Sequence, residues 1–171
     1  MALRTAGGLT INQTTNFAGY YGSFYSSTDQ TASVNTATRM FCENTADADG
    51  ITMELGDNST DSEITFANAG TYNIQFSAQM HNTGGGGAGQ SVIIWFRLNG
   101  NDIADSATKL VVPSNAPYVV AAWNFVSSVA AGDYIEIMFA VDNANIKLEH
   151  EPSTALHPAI PSLIITAQQI R

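Results

Sequence analysis

The sequence predicts an all-β protein, a jelly-roll sandwich of about eight to ten antiparallel strands. Apolar and polar residues alternate with a period of two in the clearest segments, turn-forming residues recur roughly every ten positions, and no stretch shows a capped amphipathic helix of useful length. A chain of 171 residues with 44% hydrophobic residues can bury one sizeable core. We therefore expect a single jelly-roll domain over residues 20–171, with residues 1–19 as an N-terminal arm.

The first part of the chain predicts this arm and several short strands. Residues 1–19 (MALRTAGGLTINQTTNFAG) are polar, rich in Gly and Thr, and lie outside the strand pattern, as expected of an arm that orders against a neighbour. Short strands are predicted in GYYGSFYS, ATRMFCE, ITMELG and SEITF. The Asp-rich segments DADG and GDNSTDS are predicted to be the turns between them.

The middle of the chain contains the clearest strand, TYNIQFSAQM, in which five apolar residues alternate with polar ones. These apolar residues are Tyr72, Ile74, Phe76, Ala78 and Met80. An apolar run from Val92 to Phe96 predicts the next strand. Asn99-Gly100 favours a tight hairpin turn after it, and a further strand is expected near Lys109 to Val112.

Two long strands are predicted at 118–129 and 134–142, with the turn AAGD between them, and Pro161 introduces a last strand in IPSLIITAQQI. Both long strands are apolar on two faces, which indicates that the second face is also covered. We assign the bulky odd-numbered residues to the core: Val119, Ala121, Trp123, Phe125, Ile135, Ile137, Phe139 and Val141. We assign the smaller even-numbered residues to a subunit interface: Tyr118, Val120, Ala122, Val126, Tyr134, Met138 and Ala140. The alternative is that an intrachain loop covers this second face.

Charge and composition exclude several classes of partner. Charged residues make up only 12% of the chain, against roughly 25% in typical soluble domains, and the net charge is -9. Because the six Lys and Arg are scattered, we expect no nucleic-acid partner. The sequence has no transmembrane run or signal-peptide pattern, and a lone Cys42 cannot form an intramolecular disulfide. We therefore expect no membrane partner and synthesis in a cytoplasm.

The glycine-rich stretch NTGGGGAGQS, residues 82–91, has the glycine spacing of phosphate-binding loops. The Walker A lysine position, however, is Gln90, and a strand-like segment follows where a helix is required. We therefore interpret this stretch as a connection between two strands.

Metal binding and catalysis have little support in the sequence. A set of acidic residues could supply oxygen ligands for calcium: Asp47, Asp49, Asp57, Asp61 and Glu63. Their spacing is not that of an EF-hand, and solvated turns are the favoured interpretation. No nucleophile elbow or Cys–His pair is legible, and Cys42 reads as a small buried thiol. The segment LEHEP around His150 is predicted to be an exposed loop and not a zinc site. We predict no enzyme activity, no metal and no cofactor.

Several segments resemble small jelly-roll structural proteins of tailed bacteriophages, especially those that infect marine cyanobacteria. They are YGSFYSSTDQTAS, ITFANAGTYNIQFSAQ, VIIWFRLNGNDIADSAT, VVAAWNFVSSVAAGDYIEIMFAVDN and HPAIPSLIITAQQI, and together they span roughly residues 20 to 170. The order of AGTYNIQFSAQ, WFRLNG, AAWNF and AGDYIEI also resembles the complement globular head and the tumour necrosis factor superfamily, whose ten-stranded jelly rolls form trimers. The resemblance implies a trimeric virion protein assembled in the cytoplasm of a bacterial host.

Two functions are consistent with this resemblance. The first is a trimeric decoration, cement or head-fibre protein that binds other virion proteins, above all the major capsid protein. The absence of heptads, collagen-like triplets and β-repeats argues against a long fibre shaft. The alternative is a receptor-binding knob that holds host surface glycans, with Tyr20, Tyr21 and Tyr25 as candidate stacking residues, although strand packing is the simpler role for them.

Overall fold

The computed structural model describes residues 19–55, 62–84, 87, 89–114 and 118–171. These residues form fourteen β-strands and no helix. The strands are β1 (Tyr21–Ser26), β2 (Gln30–Thr31), β3 (Thr38–Arg39), β4 (Asn44–Asp49), β5 (Ile51–Leu55), β6 (Ser62–Phe66), β7 (Gly70–Asn82), β8 (Gln90–Leu98), β9 (Asn101–Asp102), β10 (Thr108–Val112), β11 (Tyr118–Val129), β12 (Tyr134–Val141), β13 (Ile146–Leu148) and β14 (Leu163–Gln169).

The strands form two antiparallel sheets packed as a sandwich, which confirms the predicted fold class. Sheet 1 runs β11-β7-β14-β1-β4, and β13 and β2 extend it beside the far end of β7. Sheet 2 runs β10-β8-β12-β6-β5, with β3 on β12 and β9 on β8. Consecutive long strands therefore alternate between the sheets, because β7 and β11 lie in sheet 1 while β8 and β12 lie in sheet 2.

The core lies between the two sheets and consists of the residues that strand alternation points inward. All five predicted inward residues of β7 are at most 4% exposed. The four odd-numbered residues of β12 are equally buried. Aromatic rings join the two layers, because Phe96 of sheet 2 lies 6.0 Å from Phe76 and 4.7 Å from Phe125, both of sheet 1, between ring centroids.

Two predicted turns have the backbone geometry that their sequences favour. Asn99 and Gly100 have φ values of 50° and 77°, so both central residues of the β8–β9 hairpin are left-handed. Gly132 in the turn between β11 and β12 has a φ of 86°, and the Asp133 carboxylate accepts the Ala130 N–H at 2.7 Å. These local signals fix the positions of the long strands.

Three local predictions were wrong. Asp47 and Asp49 lie in β4, paired with β1, and not in a turn, because pairing at a sheet edge overrides their low strand propensity. In ATRMFCE only Thr38 and Arg39 form a strand, since the backbone at Cys42 pairs with the Ser62 hydroxyl instead of with a neighbouring strand. The segment LEHEP does not form an exposed loop throughout, because its first residue ends β13 and is fully buried.

Candidate functional site

Four neighbouring strands of sheet 1 share an outer surface without ionised side chains, which is bordered by Asp47 and Asp49 on β4. It consists of Tyr118, Val120, Ala122, Asn124 and Val126 on β11, Asn73, Gln75, Ser77 and Gln79 on β7, Ile164, Thr166 and Gln168 on β14, and Tyr21, Ser23 and Tyr25 on β1. We call these residues the neutral face. Strand alternation directs them away from the core, and none of them is buried.

The neutral face exposes several large apolar and aromatic side chains. Val120 is 59% exposed, Val126 50%, Tyr118 44%, Ile164 40% and Tyr21 38%. Apolar and aromatic side chains beside uncharged polar ones are the usual composition of a contact between proteins. The neutral face is therefore suited to contact another protein surface.

The centre of the neutral face is a polar row between the apolar residues. Cross-strand pairing aligns Asn124, Gln75, Thr166 and Ser23 across all four strands. Gln75 borders three shallow depressions of about 300, 300 and 220 Å³. Because small side chains line much of these depressions, they can receive side chains that project from an opposing surface.

The seven predicted interface residues do not form one surface, which corrects the prediction that they act together. Tyr118, Val120, Ala122 and Val126 lie on the neutral face. Tyr134, Met138 and Ala140 lie on the outer face of sheet 2, on the opposite side of the sandwich. Alternation along a strand predicts which residues share a side of that strand, but it does not predict which sheet the strand joins.

The middle of the outer face of β12 is covered within the chain, by the strand β3 and not by the loop that the alternative interpretation proposed. Met138 is 3% exposed and Glu136 is 0% exposed. The Arg39 guanidinium from β3 contacts the Glu136 carboxylate and lies 3.4 Å from the Glu63 carboxylate. This cluster was not predicted, although a glutamate in the apolar run YIEIMF is a signal that a cationic partner lies nearby.

One end of the neutral face borders a charged network. The Lys147 ammonium lies 2.8 Å from Asp29 and 3.1 Å from Glu149, and Glu149 also contacts His81. The Tyr118 ring packs on the His81 ring at 4.7 Å between centroids. Burial, and then the nearby acidic residues, raise the pKa of the Tyr118 phenol, so this edge of the neutral face remains uncharged at neutral pH.

The candidate calcium ligands are not brought together in the part of the chain that the structure describes. Asp47 and Asp49 lie on β4 of sheet 1, whereas Glu63 lies on β6 of sheet 2. Asp57 and Asp61 lie outside the described residues. Within the described ranges, no group of three or more His, Cys, Asp or Glu residues could hold a metal ion.

The glycine-rich stretch is described only in part, at Gly84, Gly87 and from Gly89 onward. β8 begins at Gln90, so a strand follows these glycines and not the helix that a phosphate-binding loop requires. The predicted arm lies outside the described residues except for Gly19. The described residues contain no helix that is long and apolar enough to cross a membrane.

The three tyrosines considered for sugar stacking lie in β1 or directly before it. Tyr21 and Tyr25 lie on the neutral face, and the Tyr21 hydroxyl donates to Asp47 at 3.3 Å. Tyr20 packs against the core. Cys42 is buried, as predicted.

Comparison with known proteins identifies the fold class. No family model matches the sequence, and no curated protein matches it significantly. The structure is similar to the globular domain of zebrafish complement 1qA protein, with a TM-score of 0.56 and 10% sequence identity, over 89% of this chain and 98% of that chain. At this identity the similarity shows the fold alone. The chain therefore has the jelly-roll fold of the complement globular domain, which confirms the fold part of the resemblance seen in the sequence.

Proposed function

We propose that this chain is a self-assembling structural protein, a homotrimer that packs through the neutral face. The single observation that carries the proposal is the exposed apolar surface of this face, with side chains between 38% and 59% exposed. The fold is that of the complement globular domain, and the resemblance seen in the sequence implies that jelly rolls of this kind form trimers. A trimer would bury these side chains and remove a surface prone to nonspecific association.

Charge supports contact between identical copies at this face. The chain carries a net charge of -9, so two copies repel each other over most of their surfaces. The neutral face avoids this repulsion because none of its fifteen residues is ionised at neutral pH. Its central Asn and Gln amides each contain a donor and an acceptor, so they can pair with the polar groups that a neighbouring copy presents.

The virion role rests on the sequence resemblance to phage jelly-roll proteins. In this role the trimer decorates or cements a tailed-phage capsid, or forms part of a head fibre, and its partner is the major capsid protein. Assembly takes place in the host cytoplasm. Cryo-electron microscopy of the particle tests this role. Many copies on the icosahedral faces would support decoration, and a few copies at one vertex would contradict it.

Aspartate substitutions test the assembly. Val120→Asp and Val126→Asp would bury an unpaired carboxylate against the neighbouring subunit, which costs several kcal/mol, so we expect dissociation constants at least about a hundredfold larger. Mass photometry should show the wild type at three times the 18.1 kDa chain mass and the variants as monomers. Circular dichroism should remain unchanged, because both side chains are exposed in the single chain.

Val111→Asp is the matched control. Val111 is 52% exposed, as Val120 and Val126 are, but it lies on β10 of sheet 2. This variant should remain trimeric. A monomeric wild type, or a Val111→Asp variant that dissociates as readily as Val120→Asp, would overturn assembly through the neutral face.

A further inference from the structure

A cleft lies between the edges of the two sheets, next to β2 of sheet 1 and β3 of sheet 2. Its volume is about 350 Å³, within the usual range for small-molecule sites. It is lined by residues of two segments, 28–31 and 38–41, and none of these residues belongs to the neutral face. The cleft therefore lies outside the proposed subunit interface, and assembly does not explain it.

A buried glutamine holds the two segments of the cleft together. Gln30 is 8% exposed, and its amide donates to the Phe41 carbonyl at 2.8 Å. The Phe41 N–H donates back to the Gln30 amide oxygen at 2.7 Å, and the Gln30 amide also reaches the Ser162 hydroxyl at 3.3 Å. Because this side chain bridges the two segments in both directions, the shape of the cleft is fixed before any ligand binds.

The two charged side chains in the cleft are already engaged. Arg39 contacts Glu136 and Glu63, as described above. The Asp29 carboxylate accepts from the Lys147 ammonium at 2.8 Å and from the His150 N–H at 2.9 Å. The lining contributes one cation and one anion, both already paired, and the surrounding carboxylates outnumber the cations, so the cleft does not favour an anionic ligand.

The remaining lining is hydroxyl-rich with one aromatic side chain. Thr28, Thr31 and Thr38 contribute hydroxyl groups. The Thr28 hydroxyl lies 3.2 Å from the Ser26 hydroxyl and the Thr38 hydroxyl donates to the Thr36 carbonyl at 3.4 Å, and each oxygen can still accept a further hydrogen bond. Phe41 is half-buried and contributes apolar surface. We propose that this cleft binds a neutral saccharide unit, with the threonine hydroxyls bonded to its hydroxyl groups and Phe41 packed against its C–H groups. Such a site gives the chain a recognition role in addition to assembly.

Saturation-transfer NMR on the full chain tests the proposal. The probes are glucose, galactose, mannose and N-acetylglucosamine, with N-acetylneuraminic acid as an anionic comparison. At least one neutral sugar should receive saturation, and the anionic sugar should receive less. Absence of transfer to all four neutral sugars, or a stronger response from the anionic sugar, would overturn the proposal.

Variants locate the binding. Thr31→Val combined with Thr38→Val removes two hydroxyls and should weaken the binding about three- to tenfold, because each hydrogen bond contributes modestly. Thr108→Val, at an exposed strand threonine of β10, should bind as the wild type does. Phe41→Leu keeps apolar volume but removes the ring, and it supplies the same test if the double variant does not fold. Wild-type affinity in a folded cleft variant would refute the site.

The sugar test is independent of the assembly test. One chain supplies every residue of the cleft, so Val120→Asp should bind the same sugar as the wild type whatever its oligomeric state. A wild type that is monomeric and still binds the sugar would contradict assembly alone. A trimer without sugar binding would contradict the cleft alone.

Discussion

The ion pair between Arg39 and Glu136 provides a quantitative test of how sheet 2 is covered. The Glu136 side chain is fully buried, whereas the Arg39 side chain is 19% exposed. Removing one partner of a buried ion pair typically costs about 3–5 kcal/mol, because the other charge remains in a poorly solvated site. We therefore expect Arg39→Met to lower the free energy of unfolding by that amount.

The reverse substitution should cost less. Glu136→Met leaves Arg39 partly exposed and still 3.4 Å from Glu63, so a loss of about 1–3 kcal/mol is expected. The double variant replaces both charges with unbranched apolar side chains. Its stability should lie within about 1 kcal/mol of the wild type, since a buried ion pair stabilises little relative to well-packed apolar residues. The cycle should therefore show a coupling of at least about 3 kcal/mol.

Urea unfolding, followed by the fluorescence of the two Trp residues, measures the free energy of unfolding of the wild type, the two single variants and the double variant. One protein concentration should be used throughout, because association stabilises the folded state by mass action. The pair lies on sheet 2, so mass photometry should show the same oligomer for all four. A decrease in the free energy of unfolding below about 1 kcal/mol for Arg39→Met would refute the reasoning. A fully buried carboxylate that loses its cationic partner should destabilise the fold by more than this.

Two further predictions concern the backbone and the core. Gly50 and Gly132 both have positive φ, of 68° and 86°. A Cβ added at Gly50 would lie 2.2 Å from the Tyr20 ring, whereas a Cβ added at Gly132 would meet no atom within 4 Å. Gly132→Ala should therefore lose about 1 kcal/mol of stability and Gly50→Ala about 2–4 kcal/mol, and equal losses in urea unfolding would contradict this. Cys42 is fully buried, and burial raises the pKa of its thiol, so a thiol reagent should label it only in denaturant; rapid labelling in native buffer would contradict the buried site.

The long strands could be predicted from sequence because their signals are local. In β7 the alternation of apolar and polar residues continues from Tyr72 to Met80, and the structure buries every apolar member. The turn at Asn99-Gly100 requires left-handed backbone, which few other residue pairs adopt readily. This pair therefore predicted where β8 ends. Neither inference needs knowledge of any distant contact.

The candidate sites could be predicted only in part because they depend on distant contacts. The apolar even-numbered residues of β11 are exposed, but Met138 is covered by its own chain. Arg39 is nearly one hundred positions from Glu136 in sequence, and no periodicity relates them. The cleft likewise depends on Gln30, whose partner Phe41 follows a strand of the other sheet. Local patterns give the direction of a side chain, whereas the topology decides what it meets.

Outward charges are distributed differently on the two sheets. In sheet 2 every strand from β10 to β5 carries one ionisable side chain outward: Lys109, Arg97, Glu136, Glu63 and Glu54. In sheet 1 the outward charges lie at the borders, with Asp47 and Asp49 on β4 and Lys147 on β13, whereas the neutral face between them carries none. An interface that buries an unpaired charge is destabilised by several kcal/mol. The neutral face is therefore a broad surface on which the proposed trimer can form without burying a charge.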